Sequence, residues 1–269
     1  MLQFALNISL TLRELALREQ IETAARLGFS TIELWWPRGE DHQALVRHVR
    51  DAGLQVALLN FDAGVIAQGE RGMLNHPQRQ QEFRANVPVA LDLAQQLGCR
   101  RLNALVGKWL PDLPRPAQLA RVRENLAFAC EHAAVVGTNV LVESLNHWEN
   151  AGYLVCDTAN TIALLQSVGA PNLRYQYDVY HMQRMEGNIV PTIMANLHWI
   201  DHIQVADTPG RHQPGTGELN YPFIFAALAK SGYAGFIGLE FIPRGSLEAS
   251  LAWLPADRRG PITPTALAW

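Results

Sequence analysis

The sequence is poor in several things at once, and each shortage excludes a class of protein. Three cysteines in 269 residues, Cys99, Cys130 and Cys156, form an odd, scattered set without CxxC spacing. That excludes a disulfide frame or a cysteine-built zinc site and fits reduced, structural thiols. Charge of one sign is not in excess: 22 lysines and arginines face 25 acids, for a formal charge of -3, so nucleic acid is not the expected partner. No apolar run approaches the roughly 18 residues of a membrane span, and Met1 to Leu12 lacks a cationic start and is broken by Asn7, Ser9 and Thr11. Neither a membrane helix nor a signal peptide is expected, and the reading is a cytoplasmic protein. Charged residues reach only 17% against 48% hydrophobic, enough apolar material for one large core and too much for a disordered chain.

What the sequence does have is a repeated phrase: a helix-period stretch, a glycine, a few residues, then a short apolar run. The instances are ARLGFSTIEL, RDAGLQVALLN, QQLGCRRLNALVG, AVVGTNVLVES, QSVGAPNLRYQYD and AKSGYAGFIGLE. Their glycines, Gly28, Gly53, Gly98, Gly137, Gly169 and Gly232, suit the left-handed residue that ends a helix. The long gap before Gly232 holds one more strand-like run, WIDHIQVAD, and the chain opens on another, FALNIS. Between the runs lie amphipathic stretches such as Leu119 to Val135 and Ala159 to Val168. Alternating strands and helices imply a parallel sheet, because parallel strands need long crossovers. Eight such units predict a single-domain (β/α)8 TIM barrel over residues 1–253. An open doubly wound sheet is the rival fold, but it wants a glycine-rich phosphate turn after the first strand, and NISLTL has none. WLPDLPRP at 109–116 reads as a loop. The tail 254–269, with Pro255, Pro261 and Pro264, is expected to wrap the surface or meet a partner subunit; a homo-oligomer, dimer or tetramer, is in view, and Trp253 and Trp269 either mark its contact or simply pack.

In such a barrel the carboxyl ends of the strands converge on the functional mouth. Here those ends are acidic: Glu33 in TIEL, Glu143 in LVES, Asp178 in RYQYD, Gln204 in HIQVAD and Glu240 in IGLE. Unpaired, each carboxylate would cost several kcal/mol to bury. Glu143, Asp178, Gln204 and Glu240 fall on consecutive strands and together make an all-oxygen cage, which favours a hard divalent cation, Mg2+ before Mn2+. Glu33 stands apart and is left outside the site. His181, three residues after Asp178, is placed to face the pocket. His198 and His202 have i, i+4 spacing, but His202 falls in a strand, so both are taken as structural. The glycines of PGTGE lack the Lys-Ser/Thr of a phosphate loop.

YDVYHMQRMEGN, HIQVAD, RHQPGTGELNY, AQGERGM, LVESLNHWENAGY and LNALVGK resemble the hydroxypyruvate isomerase family of the xylose-isomerase-like barrels, and the likeness runs nearly end to end. The resemblance implies interconversion of hydroxypyruvate and 2-hydroxy-3-oxopropanoate through an enediolate. It places metal ligands at Glu143, Asp178, Gln204 and Glu240 and the proton donor and acceptor at Glu143 and Glu240. It also implies that His181 contacts a substrate oxygen. Three acids against a divalent ion leave one negative charge, so a carboxylate substrate needs a cation. The candidates are Lys108, which follows a strand end most directly, then Arg71 and Arg211, with Glu70 ordering the loop of Arg71. The chain departs from the family pattern at Glu240-Phe241-Ile242-Pro243, where a lysine is missing, and in the FDAGVIA loop. Those departures keep a sibling activity on a 2-oxo-tetronate or another short keto acid in view. A metal-dependent phosphodiesterase and a non-catalytic sugar-acid binder are the rival functional classes.

Overall fold

The computed structural model describes residues 1–268. The apolar runs form eight strands: β1 (Phe4–Asn7), β2 (Thr31–Leu34), β3 (Gln55–Asn60), β4 (Arg101–Asn103), β5 (Asn139–Glu143), β6 (Leu173–Asp178), β7 (Ile200–Val205) and β8 (Ile237–Leu239). Each pairs with the next and β8 closes on β1, all in parallel. The strands are almost wholly buried, as expected when side chains fill the barrel and helices cover its outside. Register sets which strand ends become neighbours. Asn7 lies beside Glu33, Glu143 beside Gln176, Asp178 beside Gln204, and Gln204 beside Gly238.

The helices stop where the glycine phrase predicts. All six glycines have positive φ. Gly169, for instance, closes the helix Thr158–Val168 in the left-handed region with its N–H on the Leu165 carbonyl, a conformation a Cβ would strain. The helix Arg115–Val135 buries Gln118, Val122, Leu126, Ala129 and Ala133 on one face. Gln118 also ties down the preceding proline-rich loop, donating to the carbonyls of Leu110 and Leu113 at 2.8 and 2.7 Å.

At the chain end the structure decides between contact and packing for Trp253. Trp253 is 6% exposed, with its indole edge-on to Phe4 at 5.6 Å and stacked on Phe225 at 5.8 Å. It fills the core near the start of β1 and is not a surface contact. Trp269 lies outside the described residues. The tail runs back over the chain start, where Leu2 and Ile262 exchange backbone hydrogen bonds of 2.8 and 2.9 Å. Burial pushes the Cys99 thiol up to about 11 and the Cys130 thiol up to about 12, which keeps both unreactive. Among the described residues no helix is long and apolar enough to cross a membrane.

Candidate active site

The strand ends meet at a cavity of 70 Å³ whose polar lining includes Glu143, Gln204, Glu240, His181, Arg71 and Arg211. Asp178 adjoins them: its Oδ2 lies 3.6 Å from His181 Nε2 and 3.7 Å from Arg211 Nη2. The four predicted cage residues are all buried. Asp178 serves two purposes. As the N-cap of the helix Val179–Met185 it accepts on Oδ1 from the N–H groups of Tyr180 and His181 at 2.7 and 3.2 Å, which leaves Oδ2 turned to the site.

The electrostatics are those of an under-neutralised acid cluster. Glu143 accepts from Asn103 Nδ2 at 2.8 Å. Burial, then repulsion from Glu240 and Asp178, raises its carboxyl well above the ordinary range. Burial raises Asp178 too, against the pull of Arg211 and of the two backbone N–H groups. Burial pushes Glu240 up to about 7; Arg211 opposes that shift, and Asp178 and Glu33 add to it. Glu240 Oε1 accepts from Asn7 Nδ2 and Trp35 Nε1, both at 2.9 Å, and Oε2 accepts from Arg211 Nη2 at 2.6 Å.

Those donors fit a divalent cation. Carboxylate oxygens of Glu143 and Asp178 lie within 4.8 Å of one another, and mutual repulsion among buried carboxylates is relieved by positive charge between them. Arg211 departs from the expected substrate-facing cation: its guanidinium lies against Glu240 and near Asp178, supplying part of the charge a cation would bring. It does so from a left-handed backbone, φ +54, with its buried Nε lacking any hydrogen-bond partner. A cation shared by Asp178 and Glu240 and this placement of Arg211 are therefore alternatives.

His181 Nδ1 accepts from the Asn146 backbone N–H at 3.2 Å. Burial, with Arg211, Arg184 and Arg71, holds the ring well below its ordinary pKa. A neutral ring accepting on Nδ1 carries its proton on Nε2, the nitrogen near Asp178, so it presents a donor to the site.

The three expected carboxylate-binding cations end in different places. Arg71 lines the cavity and is positioned by Asn150 Oδ1 at 2.7 Å and the carbonyls of Ile66 and Glu70 at 3.1 and 2.6 Å. Burial, then Arg211, lowers its pKa, and its hydrogen bonds run to neutral acceptors. It is a desolvated cation suited to an anion. Lys108 does not line the cavity. After Gly107 the chain pairs with Tyr153, and the ammonium comes to rest against Gly69, 3.8 Å from where a Cβ there would sit. Glu70 is likewise outside the lining. It accepts from Val65 N–H at 2.5 Å and pairs with Arg79, which orders the loop carrying Arg71.

Several participants escaped the sequence reading. Asn7 ends β1 and Asn103 ends β4, and both bond site glutamates; the strand-end rule finds them once amides are counted beside acids. Trp35 and Gln176 carry no signal of their own. Glu33, left outside the site, is fully buried and accepts from Gln204 Nε2 at 2.6 Å. Beyond the shared wall of Trp35, Asn60 and Ile66 lies a second groove of 410 Å³.

Comparisons with known proteins agree with this architecture. Residues 21–256 match the family model described as xylose isomerase-like TIM barrel. Hydroxypyruvate isomerase of Escherichia coli is 37% identical over 258 residues, 96% of this chain and 100% of that protein. The 2-oxo-tetronate isomerase of Cupriavidus necator is 38% identical over 253 residues, 94% of this chain and 97% of its own length. Among solved structures, the AP endonuclease, family 2, from Brucella melitensis superposes with a TM-score of 0.90 at 38% identity, covering 94% of this chain and 98% of that one. With its closed eight-stranded barrel and acidic mouth, the chain belongs to the xylose isomerase-like TIM-barrel family, among its hydroxypyruvate isomerase members.

Proposed function

We propose that this isomerase moves a carbonyl between adjacent carbons of a short keto acid, interconverting hydroxypyruvate and 2-hydroxy-3-oxopropanoate. The carrying observation is the pair Glu143 and Glu240. Both line one small cavity, and both are raised toward neutrality by burial and by their neighbours. Carboxylates placed to take and return a proton each contribute roughly 10²- to 10⁴-fold. One carboxylate takes a proton from C3 of hydroxypyruvate, leaving an enediolate, and the other returns a proton to C2. The hydroxyl proton passes between the two oxygens, so C2 becomes the carbinol and C3 the aldehyde without net oxidation. His181 Nε2–H donates to a substrate oxygen, and Arg71 receives the substrate carboxylate through a charge-assisted bond.

Glu143, Asp178, Gln204 and Glu240 would hold the cation, Mg2+ or Mn2+ by the hardness of their oxygens. When bound, it supplies Lewis-acid polarisation of the substrate oxygens. The names of the Escherichia coli and Cupriavidus necator relatives support a keto-acid isomerase. A four-carbon 2-oxo-tetronate is the second reading, favoured by the 410 Å³ groove that adjoins the cavity at Ile66. Phosphodiester cleavage fits less well, since the cation cluster found among the described residues offers a single histidine and the chain is net acidic.

The test is solvent exchange. Incubated with hydroxypyruvate and Mg2+ in heavy water, the protein is expected to form 2-hydroxy-3-oxopropanoate with deuterium on its carbon skeleton, read by proton NMR. Unchanged substrate with no deuterium refutes the proposal.

A further inference from the structure

We propose that Glu33 is a positioning residue for the cation cage, fixing the Gln204 amide with its oxygen toward the site and holding Glu240 through Asn7. The inference rests on the cage reading above.

Glu33 lies on β2 beside Asn7 of β1 and does not itself line the cavity. It is 0% exposed. Its Oε1 accepts from Gln204 Nε2 at 2.6 Å and from Asn7 Nδ2 at 3.0 Å, and its Oε2 lies 2.6 Å from His202 Nε2. Glu33 Oε1 thus takes two amide NH2 groups. With its NH2 on Glu33, Gln204 sends Oε1 the other way, where it accepts from Gln176 Nε2 at 2.6 Å. Flipping the amide would set oxygen against oxygen at Glu33 and nitrogen against nitrogen at Gln176. Only the observed orientation offers a cation an oxygen.

Asn7 is held as firmly. Its Oδ1 accepts from Leu10 N–H at 2.9 Å, so its NH2 faces Glu33 and Glu240 together, reaching Glu240 Oε1 at 2.9 Å. Glu240 is thereby pinned on Oε1, which leaves Oε2, the oxygen now held by Arg211 at 2.6 Å, turned to the site. The barrel leaves room for this arrangement at one place: a Cβ on Gly238 would lie 2.3 Å from Glu33 Oε2. His202, taken from the sequence as structural, holds the second oxygen and keeps Glu33 from rotating away.

Outer partners of this kind typically contribute 10- to 100-fold to metal affinity. The test uses Mn2+ alone, titrated into the full chain and followed by the electron paramagnetic resonance of free Mn2+, together with kcat and KM on hydroxypyruvate. Glu33→Gln is expected to weaken Mn2+ binding 10- to 100-fold, because its amide can turn either face to Gln204. The double variant E33Q/Q204E should recover most of that loss, since a carboxylate at 204 presents oxygen in both orientations. Gln204→Glu alone should bind Mn2+ more weakly than wild type, as two carboxylates then abut. If Glu33 acted only by adding negative charge, Q204E would bind more tightly, and that result overturns the proposal. So does an E33Q variant that binds Mn2+ like wild type, or an E33Q/Q204E variant no better than E33Q. Should E33Q fail to fold, Glu33→Asp keeps the charge beside His202 while withdrawing the oxygen by about one bond length, ~1.5 Å, and is expected to show the same loss. Equal affinity in E33D overturns the proposal. Wild-type protein that binds no Mn2+ overturns the cage reading and this inference together.

Discussion

Replacing Glu240 with glutamine separates the electrostatic load of the site from its chemistry. In the cation-free protein the Glu240 carboxyl is pushed up to about 7 from an ordinary 4.5. A raised acid favours the folded state fully below the unfolded value, and that contribution is lost as pH climbs through the folded value. At about 1.4 kcal/mol per unit, ionising Glu240 costs the fold about 3 kcal/mol between pH 4 and pH 8, and Glu143 acts in the same direction. Glu240→Gln removes the titration while keeping the shape. Urea denaturation in the presence of EDTA, run at several pH values from 4 to 8, is expected to show the variant losing about 3 kcal/mol less stability than wild type over that range. Turnover of hydroxypyruvate should fall by at least the roughly 10²-fold of a lost acid–base group. Parallel stability profiles for the two proteins would refute the assignment of a strained, buried carboxylate. Near wild-type turnover would refute its role in proton transfer.

Arg71→Met removes the desolvated guanidinium proposed to take the substrate carboxylate. A charged hydrogen bond of about 1.5–3 kcal/mol translates into a fall in kcat/KM of roughly 10- to 150-fold in steady-state assays, while Lys108→Met, outside the cavity, should leave kcat/KM within about two-fold. Ile66→Ala opens the wall between the cavity and the neighbouring groove; the ratio of kcat/KM for 2-oxo-tetronate over hydroxypyruvate is expected to rise, and an unchanged ratio would show that the groove is not used. Treatment with EDTA should abolish activity and added Mg2+ or Mn2+ restore it, with full activity after exhaustive chelation arguing against the cage.

The barrel was legible because its signals are local and repeated. Each glycine that ends a helix does so through its own φ, and each apolar strand announces itself in three to six residues, so the six-fold phrase around Gly28 to Gly232 carries the topology. The convergence of Glu143, Asp178, Gln204 and Glu240 was legible for the same reason, since strand ends of a closed barrel have a common destination. Side-chain partnerships were not. Whether Glu33 turns inward to Gln204 or caps a helix depends on Asn7 and His202, 26 and 169 positions away, and on the absence of a side chain at Gly238. Lys108 was misplaced by distance along the chain: nearness to a strand end does not say which way the loop turns after Gly107. Arg211 and Arg71 were indistinguishable in sequence, yet the first lies on Glu240 and the second holds only neutral partners. Trp253, at the edge of the proline-rich tail, reads equally as contact or packing residue, and the rings of Phe4 and Phe225 decide for packing.

Anomalous diffraction from crystals grown with Mn2+ tests the cage most directly. A single strong peak bonded to oxygens of Glu143, Asp178, Gln204 and Glu240, with the Arg211 guanidinium moved off Glu240, is the predicted result. A barrel mouth without such a peak, its Arg211 still paired to Glu240 at saturating Mn2+, would contradict it.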